Sequence, residues 1–272
     1  MKKRVITGAV LVAFLIFILW LNIPLVDTLF IFSISLIGMY EYNKAFKSAG
    51  YNIIPFIGYL SCVPILLMGL DINPERVILI ARIIIPFLLM YIFIYSILRK
   101  LKTTVVDIAI TALSFIYIPF LFSFLKSILM MENGRLFIWF VITGAFACDT
   151  FAYLVGCKFG KRKLCKDVSP KKTIEGSIAG IIGVIIAYII IYIIAKYCLN
   201  IDLNIWIVMV MAIVSGIIGQ FGDLSASAIK RYCKIKDFGY IMPGHGGILD
   251  RCDSIMFVAP LVYIILKVYM FM

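Results

Sequence analysis

Nine separate runs of apolar residues divide this chain, at roughly 5–22, 25–42, 52–70, 77–98, 105–128, 136–157, 177–199, 204–224 and 254–272, and they leave room for little else. A hydrocarbon core about 30 Å thick is crossed by about 20 apolar residues in a helix. Inside lipid the backbone must satisfy its own hydrogen bonds, so such runs read as helices. With 64% of 272 residues hydrophobic and 15% charged, no large water-soluble domain fits. The expected fold is all-α: a polytopic membrane protein of about nine transmembrane helices, with 1–272 forming a single integral membrane domain.

The net charge of +12 would suit a nucleic-acid surface if the basic residues were scattered, but they are partitioned. Lys2, Lys3 and Arg4 and the connections expected on the same side hold 20 of the 26 Lys and Arg. The opposite side carries Asp27, Asp71, Glu75, Glu132 and Asp202. The positive-inside rule then predicts a cytoplasmic N-terminus, a multi-pass protein of the cell membrane and no nucleic-acid partner. A signal peptide is the alternative for the first run, but Val5 to Leu21 exceeds a usual signal core and no small-x-small cleavage site follows. Seven cysteines without a C-x-x-C pair, and a single histidine, form neither a disulfide framework nor a zinc finger.

Polar residues inside the apolar runs carry the next signal. Asp149 lies about two turns from the cytoplasmic end of the sixth run, where an unpaired carboxylate costs several kcal/mol. It should face a wet cavity or a cation; a structural ion pair with another helix is the alternative. Tyr153 and Gly156 share its face, a stripe narrow and polar enough for a ligand. Asp107, Arg82 and Lys126 read more simply as residues snorkelling to the interface, and Glu41 is ambiguous.

The two longest connections hold most residues capable of chemistry. Gly156 to Lys163, then Ser169-Pro170-Lys171-Lys172-Thr173, sets glycines beside lysines ahead of a helix, as an anion cradle of free N–H groups would require. Topogenic charge alone would look similar. In the second connection, Asp223, Ser227, Lys230 and Arg231 fall on one face of a helix continuing beyond the eighth run. Asp250, Asp253 and Ser254 share a face at the start of the ninth. Hard oxygen ligands beside Lys and Arg suit Mg²⁺ bridging protein to phosphates rather than zinc. His245, between glycines, suits a phosphate donor.

Ser227-Ala228-Ile229-Lys230-Arg231, Lys236-Asp237-Phe238-Gly239 and Pro243-Gly244-His245-Gly246-Gly247-Ile248-Leu249-Asp250-Arg251-Cys252-Asp253 together resemble the signature of the phosphatidate cytidylyltransferases, or CDP-diacylglycerol synthases. Only Met242 and Cys252 depart from it, and both keep apolar bulk. The resemblance implies cytidylyl transfer from CTP to phosphatidic acid at a cytoplasm-facing active site. It implies metal on Asp223 and Asp250, with Asp149 and Asp253 as further carboxylates, Mg²⁺ as cofactor and room for a second metal or a monovalent cation. Lys230, Arg231 and Arg251 would bind the triphosphate. Lys171 and Lys172, with Thr173, Ser227, Gly246 and Gly247, would bind nucleotide phosphates or the lipid headgroup, and His245 would act in catalysis. Residues 1–130 would then be a five-span scaffold and 131–272 the catalytic region; a homodimer is allowed. A CTP-dependent lipid-alcohol kinase and a non-enzymatic transporter are the rival readings, the latter predicting inverted repeats that are absent here.

Overall fold

The computed structural model describes residues 13–69, 74–99, 102–241 and 246–271, with backbone only at 74–78 and 81. His245, Lys2, Lys3, Arg4, Asp71 and Lys100, and the side chain of Glu75, lie outside the described residues. Among the described residues, six helices are long and apolar enough to cross a membrane: Pro24–Ser48, Val105–Leu129, Gly134–Phe159, Ile174–Cys198, Ile205–Tyr232 and Leu249–Phe271. They coincide with the second and the fifth to ninth apolar runs.

The described chain falls into two compact units. The first comprises the chain up to Lys126 together with Tyr232–Asp250. It holds α1 (described over 13–21), α2 (Pro24–Ser48), α3 (Pro55–Leu60), α4 (Val63–Leu67), α5 (Pro74–Leu98), α6 (Val105–Phe115) and most of α7 (Leu121–Leu129). The third expected span is thus two short helices, with a turn at Ser61 and Cys62 and Pro64 just inside α4, where its missing N–H costs nothing. Between α6 and α7 a π-helical turn, Ile116–Phe120, absorbs Pro119 without ending the span. Ile54, Ile57, Leu88, Ile92 and Phe115 form one apolar core of this unit.

Two polar side chains here differ from expectation. Asp107 is buried rather than snorkelling: it forms a capping box with Thr104 at the start of α6 and accepts the Asn52 N–H at 2.9 Å. Lys126 is buried as well, its Nζ donating to the Pro24 carbonyl at 3.2 Å.

The second unit, Ser127–Arg231 with Arg251–Met272, holds α8 (Gly134–Phe159), the antiparallel hairpin β1 (Lys163–Cys165) and β2 (Ser169–Thr173), α9 (Ile174–Cys198), α10 (Ile205–Tyr232) and most of α11 (Leu249–Phe271). Helices α8 and α9 pack through small residues, as membrane helices do when van der Waals contact must replace the hydrophobic effect. A Cβ on Gly176 would lie 2.6 Å from the Ala152 carbonyl, and one on Gly180 would lie 3.0 Å from that of Cys148. The hairpin is a small β element in an otherwise helical chain, and α10 runs unbroken through Lys230 and Arg231.

Candidate active site

Three apolar helices of the second unit bring charge together. Asp149 on α8, Asp223 on α10 and Asp253 on α11 interact electrostatically, with Lys172, Lys230 and Arg251 as the cations of the group. Asp253 is buried and accepts the Ser254 N–H at 2.8 Å, whereas Asp149 is exposed and Asp223 half-buried. The close approach of α10 to α11 has an identifiable cause. A Cβ on Gly222 would fall 2.5 Å from the Asp253 carbonyl oxygen, so glycine lets the residue before Asp223 touch the backbone of Asp253. One turn earlier, Gln220 donates to the carbonyls of Ser177 at 3.1 Å and Gly216 at 2.9 Å, fixing α9 against α10.

The hairpin delivers Lys172. Its Nζ stands 2.7 Å from Asp223 Oδ2, and Ser227 donates to the other oxygen at 3.5 Å. Arg231 Nε donates to the Val168 carbonyl in the hairpin turn at 3.3 Å, while Lys171 is exposed. Thr173 is buried and caps α9, accepting the Gly176 N–H at 3.2 Å.

Two of the amides that an anion cradle in this connection would use are not free. The Lys161 and Arg162 N–H groups are taken by the Glu175 carboxylate at 3.1–3.3 Å. Gly160 sits where a Cβ would meet the Gly156 carbonyl at 2.3 Å, and Gly156 packs on Thr173. These glycines serve close packing, and the amides are used in turning the hairpin into α9. At Lys161 and Arg162 the loop can offer a phosphate its charged side chains but not these two amides.

In the first unit the signature segment is held by two carboxylates. Asp250 Oδ2 accepts the N–H groups of Phe238 at 2.8 Å and Gly247 at 3.0 Å. Gly246 has φ +85°, and a Cβ there would also press to 3.0 Å of Asp250 Oδ2, so glycine is required twice over. Glu41, from α2, accepts the N–H groups of Ile248 at 3.0 Å and Leu249 at 2.9 Å. Asp250 and Arg251, adjacent at the start of α11, are respectively buried and exposed.

Against known proteins, residues 2–269 match the family described as "Cytidylyltransferase family". The chain belongs to the cytidylyltransferase family. Among curated relatives, a protein of Staphylococcus epidermidis named phosphatidate cytidylyltransferase is 32% identical over 271 residues, covering 98% of this chain and 99% of the relative. Relatives of the same name from Staphylococcus haemolyticus and Staphylococcus aureus are 37% and 36% identical over 172 residues, 63% of this chain. This cytidylyltransferase-family chain is accordingly a nucleotidyltransferase.

The structure gathers Asp149, Asp223, Asp253, Lys172, Lys230 and Arg251, with Ser227 and Arg231 alongside. It gives Asp250, Gly246 and Gly247 to the loop that Glu41 braces. Among the described residues no three His, Cys, Asp or Glu side chains form a ready-made metal cage. The residue that sequence reasoning undervalued is Glu41. Its signal was present, a carboxylate inside an apolar run, but its partners lie 207 and 208 positions away.

Proposed function

We propose that this cytidylyltransferase-family enzyme transfers the cytidylyl group of CTP to phosphatidate, giving CDP-diacylglycerol and pyrophosphate, with Mg²⁺ as cofactor. The observation that carries the reading is the meeting of Asp149, Asp223 and Asp253 with Lys172, Lys230 and Arg251 among apolar helices. The names of the relatives agree with it. One substrate is a lipid and the other a water-soluble nucleotide, so charged groups are needed at the end of a membrane bundle. In this reading the chain has nine spans, its N-terminus and both long connections are cytoplasmic, and the site opens to the inner leaflet.

An oxygen of the phosphatidate phosphate attacks the α-phosphorus of CTP, forming the new P–O–P bridge as the bond to the β-phosphate oxygen breaks. Pyrophosphate leaves with that electron pair. The attacking oxygen is already anionic, so no side chain need remove a proton, and the chain's work is positioning and charge neutralisation. Lys172, Lys230 and Arg251 supply positive charge for the phosphates, and Arg231 stands beside the hairpin. Lys172 is held by Asp223 at 2.7 Å and by the Gln220 carbonyl at 3.5 Å, which aims its ammonium and leaves one further N–H donor for phosphate oxygens.

Mg²⁺ suits these residues. It is usually bound by one or two carboxylates, waters and substrate phosphates rather than by an all-protein cage, and the donors here are carboxylate oxygens. Asp149, Asp223 and Asp253 would hold it, with Asp250 one turn earlier on α11, and the bound ion would lower the charge on the triphosphate. Purified protein incubated with labelled CTP should convert phosphatidate to CDP-diacylglycerol with release of pyrophosphate. Phosphorylation of a long-chain alcohol, with phosphatidate left unreacted, would overturn the reading.

A further inference from the structure

We infer that Glu41 is a positioning residue of the signature loop: its buried carboxylate fixes the backbone at Ile248 and Leu249 and thereby the orientation of Asp250. The inference rests on the activity proposed above only in the role given to Asp250.

Glu41 is 1% exposed on α2, so its charge needs compensation. Compensation comes chiefly from the backbone, with the Lys44 ammonium as a smaller favourable charge. The amides of Ile248 and Leu249, donors at 3.0 and 2.9 Å, belong to the opening of α11, where N–H groups have no intrahelical acceptor and the helix dipole favours an anion. The slot is shaped for this side chain: a Cβ on Gly239 would lie 2.3 Å from Glu41 Oε1, and one on Gly247 would lie 2.4 Å from Oε2. One turn back on α2, Gly38 admits Leu249, whose Cδ2 would stand 3.0 Å from a Cβ there.

Asp250 takes the neighbouring amides, those of Phe238 and Gly247. Two mutually repelling carboxylates thus share four backbone donors, one at Phe238 and three at 247–249. The carboxylate from α2 leaves the donors at 248 and 249 no other arrangement, so the turn that presents Asp250 cannot rotate. Removing it frees those donors and lets the turn reorient while Asp250 itself remains. A cavity of about 230 Å³ adjoins Glu41, bounded by Tyr40, Lys44 and Tyr240, and offers a small anion a way in.

The test combines three variants with two readouts. In Glu41→Gln one N–H faces an amide NH₂ instead of an acceptor; kcat should fall on the order of 100-fold while KM for CTP changes less than about threefold. Amide hydrogen exchange should accelerate at 248 and 249 and stay unchanged in α9. Formate added to Glu41→Ala should restore part of both kcat and protection. Gly239→Ala, which crowds the carboxylate without deleting it, should reproduce the kcat loss. Wild-type kcat and protection in Glu41→Gln would overturn the inference, as would loss of folding in all three variants without formate rescue. If the wild-type protein fails to convert phosphatidate, the proposed activity falls, yet the exchange measurement at 248 and 249 still decides whether Glu41 holds the loop.

Discussion

Lys172 Nζ meets Asp223 Oδ2 at 2.7 Å, tying the hairpin strand β2 to helix α10. The pair is half-buried and joins an ammonium suited to phosphate with a carboxylate suited to a cation. Asp223→Asn should reduce CDP-diacylglycerol formation by about two orders of magnitude or more, as removal of a charge-stabilising element does. Lys172→Gln should also slow the reaction, and the double variant should lose less than the product of the two single losses, because the partners act as a unit. Multiplicative losses in steady-state assays would argue against a shared role.

Gly222→Ala tests the helix contact that brings Asp223 to Asp253. The added Cβ would approach the Asp253 carbonyl oxygen to 2.5 Å, and backbone cannot yield as a flexible side chain does. Overpacking of this kind costs about 1–3 kcal/mol. The variant should show a lower Tm in detergent and reduced activity together. An unchanged Tm would mean that α10 and α11 are farther apart than described.

Metal removal should abolish turnover. EDTA treatment is expected to stop product formation and added Mg²⁺ to restore it, while Asp149→Asn should raise the Mg²⁺ concentration needed for half-maximal rate. Full activity in EDTA would exclude the divalent ion from the reaction.

Cysteine labelling tests topology. Cys157, near the end of α8, and Cys198, at the end of α9, are both exposed and separated by one span. With the basic 158–176 connection cytoplasmic, an impermeant maleimide applied to intact cells should modify Cys198 and spare Cys157. The reverse pattern would invert the proposed orientation.

Cys233, in the signature segment, should resist the same reagent even after solubilisation. Burial pushes its thiol up to about 11. At pH 8 the thiolate is then about one part in a thousand, and reactivity follows the thiolate. Labelling should appear only as pH rises toward 11, since a raised value keeps the neutral thiol through the ordinary range. Mass spectrometry of the 232–236 peptide at pH 8 and pH 10 reads the outcome.

The membrane-spanning architecture is legible in the residues because lipid imposes a local rule. A run of about 20 apolar residues must be helical, whatever its neighbours do. Six long helices follow that rule, and Lys230 and Arg231 continue α10 as their spacing predicts. The same rule misses the break between α3 and α4, where apolar residues continue through a turn. The acidic and basic residues of the site were likewise visible as residue types, since charge inside an apolar run is costly wherever it falls.

Their partners were not visible. The sequence by itself determined that this is a helical membrane protein whose motif residues concentrate toward the C-terminus, and its motif resemblance identified the family. Tertiary structure alone decided that Lys172 pairs with Asp223, that the Lys161 and Arg162 amides are spent on Glu175, and that Glu41 braces Ile248 and Leu249. The physical reason is range. Hydropathy and helical spacing act over one or two turns, whereas a buried carboxylate is satisfied by whichever donors packing carries to it, here more than 200 residues along the chain.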